Sequence, residues 1–202
     1  RYARELARRL GRQIEVELAG EETRLDRRIA RELEGALRHL VANAVDHGIE
    51  SPEERAAAGK PAAGRLRLAA GAGGRGVELT IADDGRGIDA GEVARQAVAG
   101  GFLPRAALDG LPEADALRLV FLPGFSTRDR ASELSGRGVG LDAVEAAVAR
   151  LGGDERMASR LGGGSDALSQ VLRPLLRETA RPRVVVLAGV SGRFARALLQ
   201  LG

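Results

Sequence analysis

The segment Asp26–His47 limits the fold more than any other part of the chain. Ile29, Leu33, Leu37, Leu40 and Ala44 recur at spacings of three and four, which puts them on one stripe of an α-helix. A stripe of that kind has to be buried against a second layer. His39, Asn43, Asp46 and His47 share another stripe of the same helix, because 3.6 residues complete a turn. Polar groups set among Leu, Val and Ala cost about 1–3 kcal/mol each when they lack partners. A ligand carrying phosphates and a metal ion would supply those partners; a helix end wetted by solvent would do so as well.

The flanking segments supply the layer. Residues 1–10 read as the end of a basic amphipathic helix stopped by Gly11, and residues 13–18 (QIEVEL) alternate as a half-buried strand does. Residues 51–64 form a polar loop with one helical turn. Strands at 65–70 and 76–82 follow, joined by a hairpin turn at Gly71–Gly74. The corner Asp83-Asp84-Gly85-Arg86-Gly87 leads into a helix near 90–99. Residues 100–138, rich in Gly, Pro and polar side chains with one short helix near 113–120, read as a functional lid or a disordered segment. Gly136–Leu141 opens a helix running to about Arg150. Beyond it, 154–160 and 166–172 alternate poorly as strands, whereas 183–188 (RVVVLA) is a clear one. Hairpins mixed with helices predict an α+β fold, a two-layer sandwich with helices on one face of a mixed sheet. The regular βα alternation of a dinucleotide-binding fold is missing.

Charge and composition narrow the partners. The 31 basic residues face 28 acidic ones for a net charge of +3, and aromatic residues are 2% of the chain. A nucleic-acid surface, with its basic stripe and stacking rings, is therefore not expected. Without cysteine there are no disulfides and no thiolate chemistry, which fits a cytoplasmic protein. No apolar run approaches the roughly 20 residues that span a bilayer, so direct membrane insertion is not expected. The chain opens on Arg and reads as a fragment entered from a missing upstream segment.

Three glycine turns follow the polar helix: DDGRGID (83–89), GRGVGLD (136–142) and GGGS (162–165). Glycine permits close approach to a ligand and leaves backbone N–H groups available to anions. A helix starting near Gly138–Gly140 aims its N-terminus at phosphates. GRGVG is not a P-loop, since no Gly-Lys-Ser/Thr follows it.

Taken in order, these motifs resemble the ATP-binding domain of the GHKL superfamily (the Bergerat fold), and within it the CheA-type chemotaxis histidine kinases. HLVANAVDHGIESPEERAAAGKP (39–61) resembles the N box and its following loop, DDGRGID the G1 box, FLPGFST (121–127) the F box and GRGVGLD the G2 box. The resemblance implies ATP and Mg2+ as cofactors. Asn43 is similar to the asparagine that holds Mg2+ against the phosphates. Asp83 would accept from the adenine amino group, with Gly87 and Ile88 beside the base. Gly136, Gly138 and Gly140 would wrap the triphosphate, with Val139 and Leu141 packing nearby and Arg137 also at the nucleotide, and Ser165 would stand in for a G3 threonine hydroxyl. His47 would contact nucleotide and Asp46 would brace the site, while Phe121 and Phe125 read as anchors of the lid in the core. His39 occupies the position where hydrolytic members carry glutamate, which implies a kinase whose histidine orients the γ-phosphate.

The same resemblance implies a domain plan and partners. Residues 1–10 would continue a helix from an upstream dimerisation domain, 11–176 would be the kinase domain, and 177–202 would begin an incomplete regulatory domain. Neither His39 nor His47 is a plausible phosphoacceptor, so the acceptor would lie on a separate phosphotransfer domain. Response regulators would act downstream, and a receptor-coupling protein would bind the regulatory domain. The chain departs from the family in LGGGS (161–165) and DALSQVLRPLL (166–176), where a regular final strand is expected. That departure keeps open a degenerate nucleotide-binding scaffold, and the superfamily itself keeps open an ATPase.

Overall fold

The computed structural model describes residues 1–73, 76–125, 141–151, 154–159 and 183–188. Helix α1 (Tyr2–Arg9) leads into strand β1 (Ile14–Ala19), and α2 (Arg27–Asn43) follows. Asp26 caps α2, its Oδ1 accepting from the backbone N–H of Arg28 at 2.7 Å and so satisfying one of the donors a helix start leaves open. The predicted helix does not run regularly to His47. Its last turn, Ala44–Gly48, widens into a π-turn, closed by Ile49 N–H donating to Ala44 O at 2.8 Å.

Helix α3 (Pro52–Ala57) occupies the loop where one helical turn was expected. Its start carries a complete capping box, with Glu54 N–H donating to Ser51 Oγ and Ser51 N–H donating to Glu54 Oε2. Strands β2 (Gly64–Gly73) and β3 (Gly76–Asp83) form a longer hairpin than the sequence suggested. The ladder continues through the expected turn to pair Gly73 with Gly76. Helices α4 (Ala90–Ala99), α5 (Glu113–Arg118) and α6 (Asp142–Arg150) complete the helical layer, with strands β4 (Asp154–Ser159) and β5 (Arg183–Ala188) in the sheet.

Among the described residues the sheet has five strands in the order β1-β2-β3-β5-β4. β2 and β3 are antiparallel and the other neighbours are parallel, the mixed sheet that was expected. Its far side is built from β5 and β4. Residues 183–188, assigned from the sequence to a regulatory domain beginning at 177, pair here with β3 and β4. The Val-rich run that suited the opening of a new domain suits an interior strand equally well.

Register explains which face the helices cover. Val16, Leu66 and Asp83 lie opposite one another across β1, β2 and β3, as do Leu18, Leu68 and Ile81. Alternation puts all six on one face. Glu17 and Arg67 point the other way and form an ion pair at 3.2 Å. The core joins Leu66 and Ile81 to Leu33, Leu40, Val45 and Ile49 of the α2 region, Val93 of α4, and Val144 and Val148 of α6. Leu117, Val120, Phe121 and Phe125 are buried in the same cluster, so these four side chains of the stretch 100–138 belong to the core. Phe125 packs edge-on against Phe102 with ring centres 5.5 Å apart.

Candidate functional site

Strand parity carries Asp83 to the inner face of the sheet at the very end of β3, next to the end of the π-turn. Asp83 is 4% exposed. Its Oδ1 accepts from Gly85 N–H at 2.9 Å, which folds the chain back into the glycine corner. Gly48 closes over that corner. A Cβ built on Gly48 would stand 3.0 Å from Asp83 Oδ1, and one on Gly85 would fall 2.1 Å from the Gly48 carbonyl oxygen. Gly48 O in turn accepts from Arg86 N–H at 2.9 Å. The end of the polar helix and the DDGRG corner are therefore one unit, made possible by two residues without side chains. Gly87 then takes φ +77°, a conformation that favours glycine, and Ile88 packs against the core.

One turn back along the helix, His39 Nε2 and Asn43 Nδ2 stand 3.1 Å apart. With the amide nitrogen as donor, the imidazole is neutral, accepts at Nε2 and carries its proton on Nδ1. Burial lowers the His39 pKa below its ordinary value, and the nearby Asp142 carboxylate at the start of α6 opposes that shift only in part. The amide oxygen of Asn43 is the kind of ligand a hard cation takes. The four-residue stripe resolves into two pairs, His39 with Asn43 and Asp46 with His47, whose Oδ2 and Nε2 are 3.3 Å apart. Widening the last turn rotates these pairs relative to one another. The His47 side chain is 43% exposed.

Leu141 precedes the first turn of α6 and packs partly buried against the core. Gly136, Arg137, Gly138, Val139, Gly140 and Ser165 lie outside the described residues. Ile88 also lines a cavity of about 590 Å³ between α4 and α5, together with Ala94, Leu108 and Leu111.

A buried charge network behind the corner was not read from the sequence. Arg55 of α3 is fully buried, and its guanidinium donates to Glu50 Oε2 at 3.0 Å, Asp84 Oδ2 at 3.0 Å and Pro61 O at 2.6 Å. Lys60 Nζ donates to Glu50 Oε1 at 2.7 Å, Gly85 O at 2.9 Å and Asp84 O at 3.2 Å. Asp84 Oδ1 accepts from Arg65 N–H at 2.8 Å. Burial alone would raise the Glu50 pKa; the hydrogen bond from Lys60 and the two cations outweigh it and hold the carboxyl below its ordinary value. The available signals were the Ser-Pro-Glu-Glu capping pattern and a lone lysine in a chain otherwise basic through arginine.

Residues 29–175 match the family described as histidine kinase-, DNA gyrase B-, and HSP90-like ATPase. The chain belongs to this ATPase family. Its relatives place it among the CheA-type members. It is 43% identical over 165 residues to the chemotaxis protein CheA of Treponema pallidum, covering 82% of this chain and 20% of that protein. It is 41% identical over 165 residues to the gliding motility regulatory protein of Myxococcus xanthus, covering 82% of this chain and 21% of that protein. The sensor histidine kinase CheAY of Helicobacter pylori is 39% identical over 165 residues, 82% of this chain and 20% of that protein. The chain thus spans about a fifth of the length of these relatives. As an ATPase-family domain it binds ATP, and its fold is the α+β sandwich expected of that family. Among the described residues no helix is long and apolar enough to cross a membrane.

Proposed function

We propose that this chain is the catalytic domain of a CheA-type histidine kinase, binding Mg2+-ATP and passing the γ-phosphate to a histidine on a separate phosphotransfer domain. The observation that carries the reading is the His39–Asn43 pair. Hydrolysis needs a base to take a proton from water, and a glutamate at position 39 would serve. An imidazole acceptor needs none, because its unprotonated ring nitrogen already offers a lone pair. A neutral His39, with Nε2 held by the Asn43 amide, suits the second reaction: it orients the γ-phosphate without activating water. Transfer breaks the bond between the γ-phosphorus and the oxygen bridging to the β-phosphate, forms a P–N bond on the acceptor, and releases ADP.

The other roles are those that the family resemblance implies. Asp83, buried and held at Oδ1 by Gly85, would accept from the adenine amino group. Gly87 and Ile88 would flank the base, with His47 at the nucleotide and Asp46 beside it. Asn43 Oδ1 would hold Mg2+. Among the described residues no cluster of three or more His, Asp or Glu side chains could take a metal, so phosphate oxygens and water would fill its remaining positions, as suits this ion. Bound there, Mg2+ would neutralise charge on the phosphates during transfer. Gly136 to Leu141 would wrap the triphosphate, and Ser165 would supply a hydroxyl. Response regulators and a receptor-coupling protein are the partners expected for such a kinase, working in the cytoplasm. Calorimetry with a non-hydrolysable ATP analogue tests the site: binding should need Mg2+ and be lost in Asn43→Ala and Asp83→Ala. Binding unaffected by either substitution would refute these assignments.

A further inference from the structure

The glycine corner after Asp83 is gripped from two sides at one residue. Gly85 N–H is held by the Asp83 carboxylate at 2.9 Å, and Gly85 C=O by Lys60 Nζ at 2.9 Å. The same ammonium takes the Asp84 carbonyl at 3.2 Å and is anchored by Glu50 at 2.7 Å. Through the Asp84 carbonyl, Lys60 fixes the peptide plane whose N–H, on Gly85, orients the Asp83 carboxylate, and through the Gly85 carbonyl it fixes the plane that follows. Its side chain is 15% exposed, so it works close to solvent rather than as a core brace; Arg55, fully buried on the Glu50 and Asp84 carboxylates, has that part.

We infer that Lys60 is a positioning residue for base recognition: its ammonium holds the Asp84 and Gly85 carbonyls so that Asp83 presents its carboxylate to the adenine amino group. This rests on the proposed role of Asp83. A carboxylate accepts from the adenine amino group but repels the carbonyl oxygen that guanine and hypoxanthine carry in the same place. Discrimination between ATP and ITP thus reads how well Asp83 is aimed. Removing the ammonium frees the Gly85 carbonyl, lets the corner relax and blunts that discrimination. A purely structural role would lower stability and leave the ratio of affinities unchanged in the folded protein.

The experiment measures ATP and ITP affinity by calorimetry on the whole chain, wild type against Lys60→Met, with Lys60→Arg and Glu50→Gln alongside. Lys60→Met is expected to weaken ATP about tenfold while ITP affinity changes little, so that the ratio collapses. Lys60→Arg, which keeps a cation near the carbonyls, should restore part of the ratio. Glu50→Gln, which loosens the anchor but leaves the ammonium, should fall between. Wild-type protein that fails to prefer ATP over ITP refutes the Asp83 reading itself. Wild-type preference with an unchanged ratio in Lys60→Met overturns the Lys60 inference alone. Should Lys60→Met not fold, the wild type supplies the second readout. Lys60 is the sole lysine in the sequence, so acetylation of its amine is followed by peptide mass spectrometry without ambiguity. Saturating ATP analogue should slow that acetylation about threefold or more by fixing the corner, and an unchanged rate overturns the inference.

Discussion

Replacing Arg55 with Met keeps the aliphatic stem and removes the guanidinium fork. The fork is fully buried and joins Glu50, Asp84 and the Pro61 carbonyl. The Glu50 and Asp84 side chains are only 9% and 17% exposed, so the substitution leaves two largely buried carboxylates, Glu50 on the ammonium of Lys60 and Asp84 on the Arg65 N–H. Breaking a buried pair from one side costs about 3–5 kcal/mol, against a total stability of about 5–15 kcal/mol for a domain. Glu50 should respond by taking up a proton more readily. In the wild type its depressed pKa contributes stability above the ordinary carboxyl pKa, and that contribution is lost as pH falls through the lowered value. Arg55 supplies only the smaller part of that depression, after Lys60, so the variant loses part of it and the gap between variant and wild type should narrow modestly in acid. Urea unfolding followed by far-UV circular dichroism at pH 7 and at pH 4 measures both quantities, with an unchanged m-value confirming that one transition is being compared. A loss below about 1 kcal/mol, the range of solvent-screened surface pairs, would refute the reasoning.

Other perturbations probe separate links. Gly85→Ala drives a methyl group into the Gly48 carbonyl and should destabilise the chain by about 1–3 kcal/mol through overpacking, with ATP affinity falling too; a variant of wild-type melting temperature and affinity would count against the close approach. Ser51→Ala removes the acceptor of the α3 capping box and should cost about 1 kcal/mol in the same urea assay, with ATP-over-ITP preference retained. His39 should titrate below its ordinary pKa, since burial disfavours the charged form. Its contribution to stability is then complete above about 6.5 and is lost as pH falls toward the lowered value; proton NMR of the imidazole checks the direction, and a raised pKa would contradict it.

The sheet and the N-terminal helices were legible because their signals are local. Alternation in QIEVEL and the three-four spacing of Ile29 to Ala44 each fix an element with little outside help. Asp83 was legible through the DDGRGID motif, and the structure adds that it continues the inward parity of Leu79 and Ile81. The π-turn was not legible, because Ala44 to Gly48 satisfies a regular helix equally well and the widening answers to Gly48 meeting Asp83 across the fold. The Arg55–Lys60 network was missed on similar grounds. Charges in a polar loop normally face solvent, and only the return of β3 beside α3 gives these cations two carboxylates to bury against. Residues 183–188 were recognised as a strand, but pairing partners far apart in sequence leave no local trace.

The central claim is that a neutral His39, paired with Asn43, serves transfer to a histidine rather than hydrolysis. Mixing this chain with the phosphotransfer domain of a CheA-type kinase and γ-labelled ATP measures that directly. Label should accumulate on that domain as an acid-labile, base-stable adduct, outpace release of free phosphate, and vanish in Asn43→Ala. Tight ATP binding with steady phosphate release and no label on the acceptor would contradict the account.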